Sequence, residues 1–211
     1  MGGINIATGI IILANVLFSI KGFEDFSFFE KFKFNIAGLK RGEKIRMISS
    51  GFLHADYSHL FFNMLTLYFF ADIVIIYLGI AGFVVIYIAS LLVGNLLSFY
   101  FHKNEYHYSA IGASGAVMGV LYSSILFAPF MQFYGFVPAW LFGILYLMFS
   151  IYGMKNKVGN VGHDAHFGGA IAGYVLTIAF APWLLEEQLW IVIALAIPIL
   201  ILFALIKLGK I

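Results

Sequence analysis

The chain has 211 residues, 63% of them hydrophobic and only 10% charged, with a formal net charge of +2. Soluble domains carry roughly 25% charged residues, so this composition excludes an ordinary soluble domain and points to a polytopic membrane protein. With no cysteine there is no thiol nucleophile, disulfide frame or cysteine metal site, and the small net charge gives no argument for nucleic acid.

Seven apolar runs approach the ~20 residues that a spanning helix needs. In chain order they are 4–20, 57–78, 80–101, 111–130, 137–154, 164–184 and 188–207. Together they use most of the chain, so residues 1–211 read as a single all-α membrane domain. The opening MGGINIATG lacks a basic region and a clear cleavage site, so the first run reads as a retained helix rather than a signal peptide.

Between the first two spans, residues 21–56 alternate aromatic and charged side chains. Such a segment is expected to lie in the bilayer interface, rings in lipid and lysines among headgroups. The polar stretches HKNEYHYSA (102–110) and MKNKVGNVGHDAH (154–166) precede the fourth and sixth spans. If all seven runs cross, every Lys and Arg falls on one face, while the opposite loops carry Glu186 and Glu187. The positive-inside rule then places the basic face in the cytoplasm.

Polar groups suited to chemistry cluster at three helix starts. His54, His59 and Asn63 open the second span, Ser114 the fourth, and His163, Asp164 and His166 the sixth. All three spans start on the same face, so helix parity alone brings these residues to a similar depth. Ionisable groups inside a membrane are expensive and mark functional sites by default. Ser114 stands beside Gly115 at a helix start, where free backbone N–H groups favour negative charge. His166 or His163 could serve as its base. His59 and Asn63 are four residues apart, roughly 40° on a helix, and both can donate to an oxyanion. His54, five residues before His59, is expected off that face of a regular helix. Gly115 with Gly119 and Gly169 with Gly173 form small-xxx-small pairs that let two membrane helices touch. A packing serine and a structural histidine are the plain alternatives for Ser114 and His166.

Taken together, these segments resemble the rhomboid family of intramembrane serine proteases. RMISSGFLHADYSHLFFNM (46–64) is similar to the approach to the family's second helix, with its His-x4-His-x3-Asn spacing at His54, His59 and Asn63. GASG (112–115) resembles the nucleophile motif, and AHFGGAIAG (165–173) the segment of the sixth helix. The resemblance covers about residues 4–184. It implies a rhomboid-like six-helix bundle, with the span at 188–207 as a seventh helix. It further implies Ser114 as nucleophile and His166 as general base and acid. His59, Asn63 and the Ser114 N–H would form the oxyanion hole, with Gly112 shaping the turn. Arg46, His54, Gly115, Gly169 and Gly173 would support the site. The implied substrate is a transmembrane segment of another protein, partly unwound and cut near the surface of the lipid bilayer, without cofactor or metal. The fifth span and the 155–162 loop would resemble the family's gate and cap. The multi-pass chain is expected in the plasma (inner) membrane of a prokaryote.

Departures from the family pattern are Ile45 before Arg46 where tryptophan is usual, Ile75 at a frequent glutamate position, and Met118 at a frequent aromatic one. Met118 could pack on the His166 ring. The family's usual orientation opens the site to the extracytoplasmic side, opposite to the lysine count. Two other readings use the same residues. One is a non-catalytic relative that binds membrane clients; the other is a metal-dependent membrane hydrolase or transporter built on the histidines and Asp164. His163 reads as a loop histidine, Asp164 as pointing away from His166, and His102 and His107 as interfacial loop residues.

Overall fold

The computed structural model describes residues 4–133, 135–159 and 161–211. The protein is a polytopic helical membrane protein, and its helices follow the apolar runs closely. α1 (Ile6–Glu24) is capped by Asn5, whose side chain accepts from the Ala7 N–H, and it runs past the expected end of the first span. α5 (Tyr57–His102) contains the second and third spans as two arms, 57–78 and 80–102. They are divided at Gly79, whose φ of 69° and ψ of 174° suit only glycine. Leu67, Ala71 and Val74 of the first arm share one buried cluster with Phe83, Ile86 and Tyr87 of the second. The arms therefore fold back on each other across the Gly79 break.

The interfacial segment is more ordered than its composition suggested. It folds into α2 (Phe26–Phe32), β1 (Phe34–Asn35), α3 (Ile36–Lys40), α4 (Arg46–Ser49) and a 3-10 turn (Ser50–Phe52). Arg46 organises it from a buried position. Its guanidinium donates to the Glu30 and Lys33 carbonyls, each at 2.8 Å, and to the Glu43 carboxylate at 2.6 Å. A planar five-donor fork suits three fixed acceptors, which an ammonium would not. β1 pairs antiparallel with β2 (Ser109–Ala110), tying this segment to the chain just ahead of the fourth span.

That fourth span is a correction to the sequence reading. α6 is only Ser114–Phe127, 14 residues, where 111–130 was expected. At 1.5 Å per residue it covers about 21 Å, short of the ~30 Å hydrocarbon core. Residues 111–113 are spent on a turn, so the helix starts three residues after the apolar run begins. α7 (Ala139–Asn156), α8 (His163–Phe180) and α10 (Leu189–Lys207) follow the remaining apolar runs. A two-stranded turn, β3 (Gln132–Phe133) with β4 (Val137–Pro138), leads into α7, and a short α9 (Leu184–Glu187) precedes α10.

At the centre, α8 lies against both α6 and the second arm of α5 with almost no side chain between them. A methyl group on Gly169 would collide with the Gly115 carbonyl, and one on Gly173 with the Gly119 carbonyl. A methyl on Gly94 would come within 2.6 Å of the Ala165 carbonyl. The two glycine pairs read from the sequence thus face each other, one on α6 and one on α8. Outside this heart the packing changes character. α7 and α10 meet through Leu195, Leu147 and large aromatic side chains, with Pro198 buried inside α10.

Candidate active site

The turn that begins α6 is held from one side by the 49–54 loop. Gly112 donates its N–H to the Ser50 carbonyl at 3.0 Å. It sits at φ 121°, a left-handed region that favours glycine. The Ala113 N–H donates to His54 Nε2 at 3.4 Å. His54 is fully buried, and its Nδ1 lies 2.9 Å from Ser19 Oγ, which itself donates to the Phe52 carbonyl. Since Nε2 accepts, Nδ1 carries the proton and donates to Ser19. The loop is anchored in turn by Asn95, which donates to the Met47 carbonyl and Ser50 Oγ.

Ser114 is the first residue of α6. No side chain caps this end, and the first intrahelical bond is Val117 N–H to the Ala113 carbonyl. The N–H groups of Ser114, Gly115 and Ala116 therefore point outward unpaired by the helix, a setting that favours an anion.

His59 reaches the same turn from α5. A methyl on Gly112 would lie 2.9 Å from His59 Nε2 and 3.6 Å from Ser114 Oγ, so only glycine leaves the ring this close. The Ala55 N–H donates to His59 Nδ1 at 3.4 Å. A neutral ring then carries its proton on Nε2, facing the turn. Asn63, one turn on, gives one amide hydrogen to the His59 carbonyl and keeps the other. The expected separation of His54 from His59 is corrected here. His54 precedes the helix, which starts at Tyr57 behind its Asp56 cap, so the helical angle does not apply. The two rings meet edge to face with centroids 4.9 Å apart.

His166 stands on α8 between its glycine contacts with α6 and the helix start. Its Nδ1 lies 2.7 Å from the hydroxyl of Tyr146 on α7. Ser114, His166, His59, Asn63 and Tyr146 all line one cavity of about 1220 Å³, with Lys155 and Lys157 at its rim. The cavity thus opens on the lysine-bearing face. Among the described residues, the hydrogen bonds engage His166 through Nδ1 and leave Ser114 Oγ uncommitted.

The other titratable groups are occupied elsewhere. Asp164 turns from His166 to His102, with Oδ2 3.4 Å from Nε2. His102 also meets Glu105 at 3.0 Å and stacks on Tyr108 at 3.6 Å between centroids. It is therefore the tether at the end of α5 rather than a loop residue, a third correction. His163 Nε2 faces the Val158 carbonyl, and its ring packs on Phe149. Among the described residues no three His, Asp or Glu side chains converge as a metal ion would need. Of the 155–162 loop, residue 160 lies outside the described residues, as do residues 1–3 of the opening segment. Tyr146 had no signal in the sequence, because a tyrosine in an apolar helix among phenylalanines reads as packing.

A rhomboid domain family model matches residues 41–183, which includes every residue of this cavity named above. The chain belongs to the rhomboid family. It is 26% identical over 197 residues to RHOMBOID-like protein 12, mitochondrial, of Arabidopsis thaliana, covering 84% of this chain and 58% of that one. It is 33% identical over 138 residues to Rhomboid protein 1, mitochondrial, of Saccharomyces cerevisiae, covering 62% and 40%. It is 29% identical over 141 residues to Rhomboid protease GluP of Bacillus subtilis, covering 67% and 27%. The matches span between about a quarter and three fifths of these relatives' own lengths.

Proposed function

We propose that this protein is an intramembrane serine endopeptidase that cuts transmembrane segments of other membrane proteins through a Ser114–His166 dyad. The reading rests on one juxtaposition. A serine at an uncapped helix start and a histidine on the neighbouring helix line the same cavity, across an interface where glycine meets glycine. Packing alone explains the glycines. It does not explain one cavity among apolar helices holding Ser114, His166, His59 and Asn63.

In this reading Ser114 Oγ attacks the scissile carbonyl carbon and its proton passes to His166 Nε2. The carbonyl oxygen becomes an oxyanion, met by the Ser114 N–H, His59 Nε2–H and the free Asn63 amide hydrogen. The C–N bond breaks as His166 returns the proton to the leaving amine. Water then enters the cavity, His166 takes its proton, and the acyl ester on Ser114 is hydrolysed. Gly112 and His54 keep the turn in place. Residues 1–211 act as one domain, six helices forming the core and α10 added to it. No cofactor takes part in this scheme.

This reading keeps the chain in the plasma membrane of a prokaryote; one relative is from Bacillus subtilis, and the other two are named as mitochondrial. The family's usual arrangement places the cavity on the extracytoplasmic side, with the lysines of α2–α4 lying along the interface. A reporter that works on only one side of the membrane, fused after Ile211, tests that orientation; activity on the cytoplasmic side overturns it.

A fluorophosphonate serine probe tests the chemistry without a known substrate. Wild-type protein in detergent should label, while Ser114→Ala and His166→Ala should not. Labelling that survives Ser114→Ala assigns the nucleophile to another serine. A folded wild type that resists both this probe and a smaller sulfonyl fluoride fits the client-binding reading instead.

A further inference from the structure

We infer that Tyr146 is the positioning residue for His166, holding the ring in the tautomer that lets Nε2 accept a proton from Ser114. The inference rests on the proposed dyad and assigns the place beside it that a carboxylate would otherwise fill.

Three observations carry it. First, Tyr146 Oη lies 2.7 Å from His166 Nδ1, a short bond in a half-buried setting. Second, the acidic group nearest in sequence is turned away. Asp164 faces His102, and its backbone position two residues before His166 puts it on another side of α8. His163 is likewise committed to the Val158 carbonyl. Third, Tyr146 is itself held in place. Its ring continues a stack from Phe70 through Phe133 and Phe142, with centroids 5.4, 4.4 and 5.9 Å apart in order. The Tyr146 and His166 rings lie 6.2 Å apart and 30° from parallel, so the hydroxyl meets the ring edge rather than its face.

A neutral imidazole carries one proton, and a base for Ser114 must carry it on Nδ1. With Nδ1–H donating to Tyr146 Oη, the Nε2 lone pair is free for the serine. As the Ser114 proton arrives at Nε2, the ring becomes an imidazolium, and the Nδ1–H bond to the phenol oxygen strengthens. Tyr146 gains no proton and gives up none. Because it sits on α7, the same bond ties the orientation of the base to the position of that helix.

The test is the rate of fluorophosphonate labelling at varied probe concentration, which separates the inactivation step from probe binding. In this reaction the Ser114 Oγ–P bond forms, the P–F bond breaks with loss of fluoride, and the serine proton goes to His166. Tyr146→Phe keeps the stacked ring and deletes the hydroxyl. Its maximal inactivation rate should fall about 10-fold to 100-fold with half-saturating probe concentration unchanged, the range for a hydrogen bond to a charging group. Phe142→Leu, which loosens the stack but spares the hydroxyl, should inactivate within about 3-fold of wild type. A Tyr146→Phe protein that labels at the wild-type rate overturns the inference. So does one whose loss lies only in probe binding, or a Phe142→Leu protein that slows equally, because packing of α7 would then be the cause. A folded wild type that never labels removes the dyad reading itself, a result separate from all of these.

Discussion

The two flanks of α6 are built from opposite materials. Toward α8 the backbones touch, with Gly169 and Gly173 lying on the carbonyls of Gly115 and Gly119. Toward α7 the contact is made by side chains, including the Tyr122 hydroxyl on the Gly143 carbonyl and the Ile125 methyl beside Gly143. Backbone against backbone leaves nothing to rotate, whereas side-chain tips can shift rotamer and refill space. The histidine and serine helices therefore form a fixed frame, and α7, which carries Tyr146, is the face of the site that can give. In the proposed reading, a precise reacting pair and access for a long substrate would place opposite demands on the fold, and they would fall on opposite sides of one helix.

The largest expected effect tests the rigid flank. Gly169→Ala puts a methyl on a carbonyl that has no side chain to move, and should cost more than ~3 kcal/mol, beyond the usual range for overpacking. Thermal unfolding in detergent should show a large fall in Tm or no folded protein. A variant of wild-type stability would show that α6 and α8 can separate. Next come the two proposed oxyanion donors. His59→Ala or Asn63→Ala should slow serine labelling or proteolysis ~10²-fold to 10³-fold, the cost of one such donor. Unchanged rates would confine His59 to a structural part.

His54→Ala follows, removing the acceptor of the buried Ala113 N–H and the partner of Ser19. It should cost about 1–3 kcal/mol in unfolding, with loss of activity because the Ser114 turn is freed. Gly143→Ala sharpens the comparison from the other flank. Its methyl would meet Leu195 and Ile125 side-chain atoms at 3.0 and 3.2 Å, which can withdraw. The change should stay within about 1 kcal/mol of wild type. A cost near that of Gly169→Ala would erase the distinction between flanks.

The smallest effect lies in the interfacial segment. The Arg46 guanidinium, and then Arg41, hold the Glu43 carboxyl below its usual 4.5. A depressed folded value stabilises in full above 4.5 and is lost as pH falls through it. Unfolding between pH 6 and 3 should therefore show a slightly shallower acid loss for Glu43→Gln than for wild type. Identical curves would place the Arg46 contribution in its two carbonyl contacts alone.

Much of this was legible beforehand because lipid leaves a chain few choices. A run of ~20 apolar residues must be a helix, helices alternate direction, and so the starts of spans 2, 4 and 6 had to share a face. The GxxxG spacing on two of those helices announced their contact before any coordinates. What stayed hidden depended on where helices stop. The sequence around 111–113 is as apolar as the span behind it, so hydropathy could not tell the turn from the helix. His54 and His59 were set apart by an angle that holds only inside a helix, and His54 lies outside one. His102 sat at a span end that reads as loop, yet tertiary packing gives it Asp164, Glu105 and Tyr108.

The sequence by itself determined the order of the apolar helices, the grouping of serine and histidines at three helix starts, and the rhomboid resemblance. These are properties of composition and period, carried by each segment alone. Only the tertiary structure decided which partner each of these side chains meets: His54 the Ala113 N–H, His59 the Gly112 turn, Asp164 His102, and Tyr146 His166. Those partners are 20 to 62 residues apart or sit on different helices, and a bond of 2.7 Å depends on helix position to a fraction of an ångström. No local pattern along the chain encodes such a distance; the packing of α7 and α8 does.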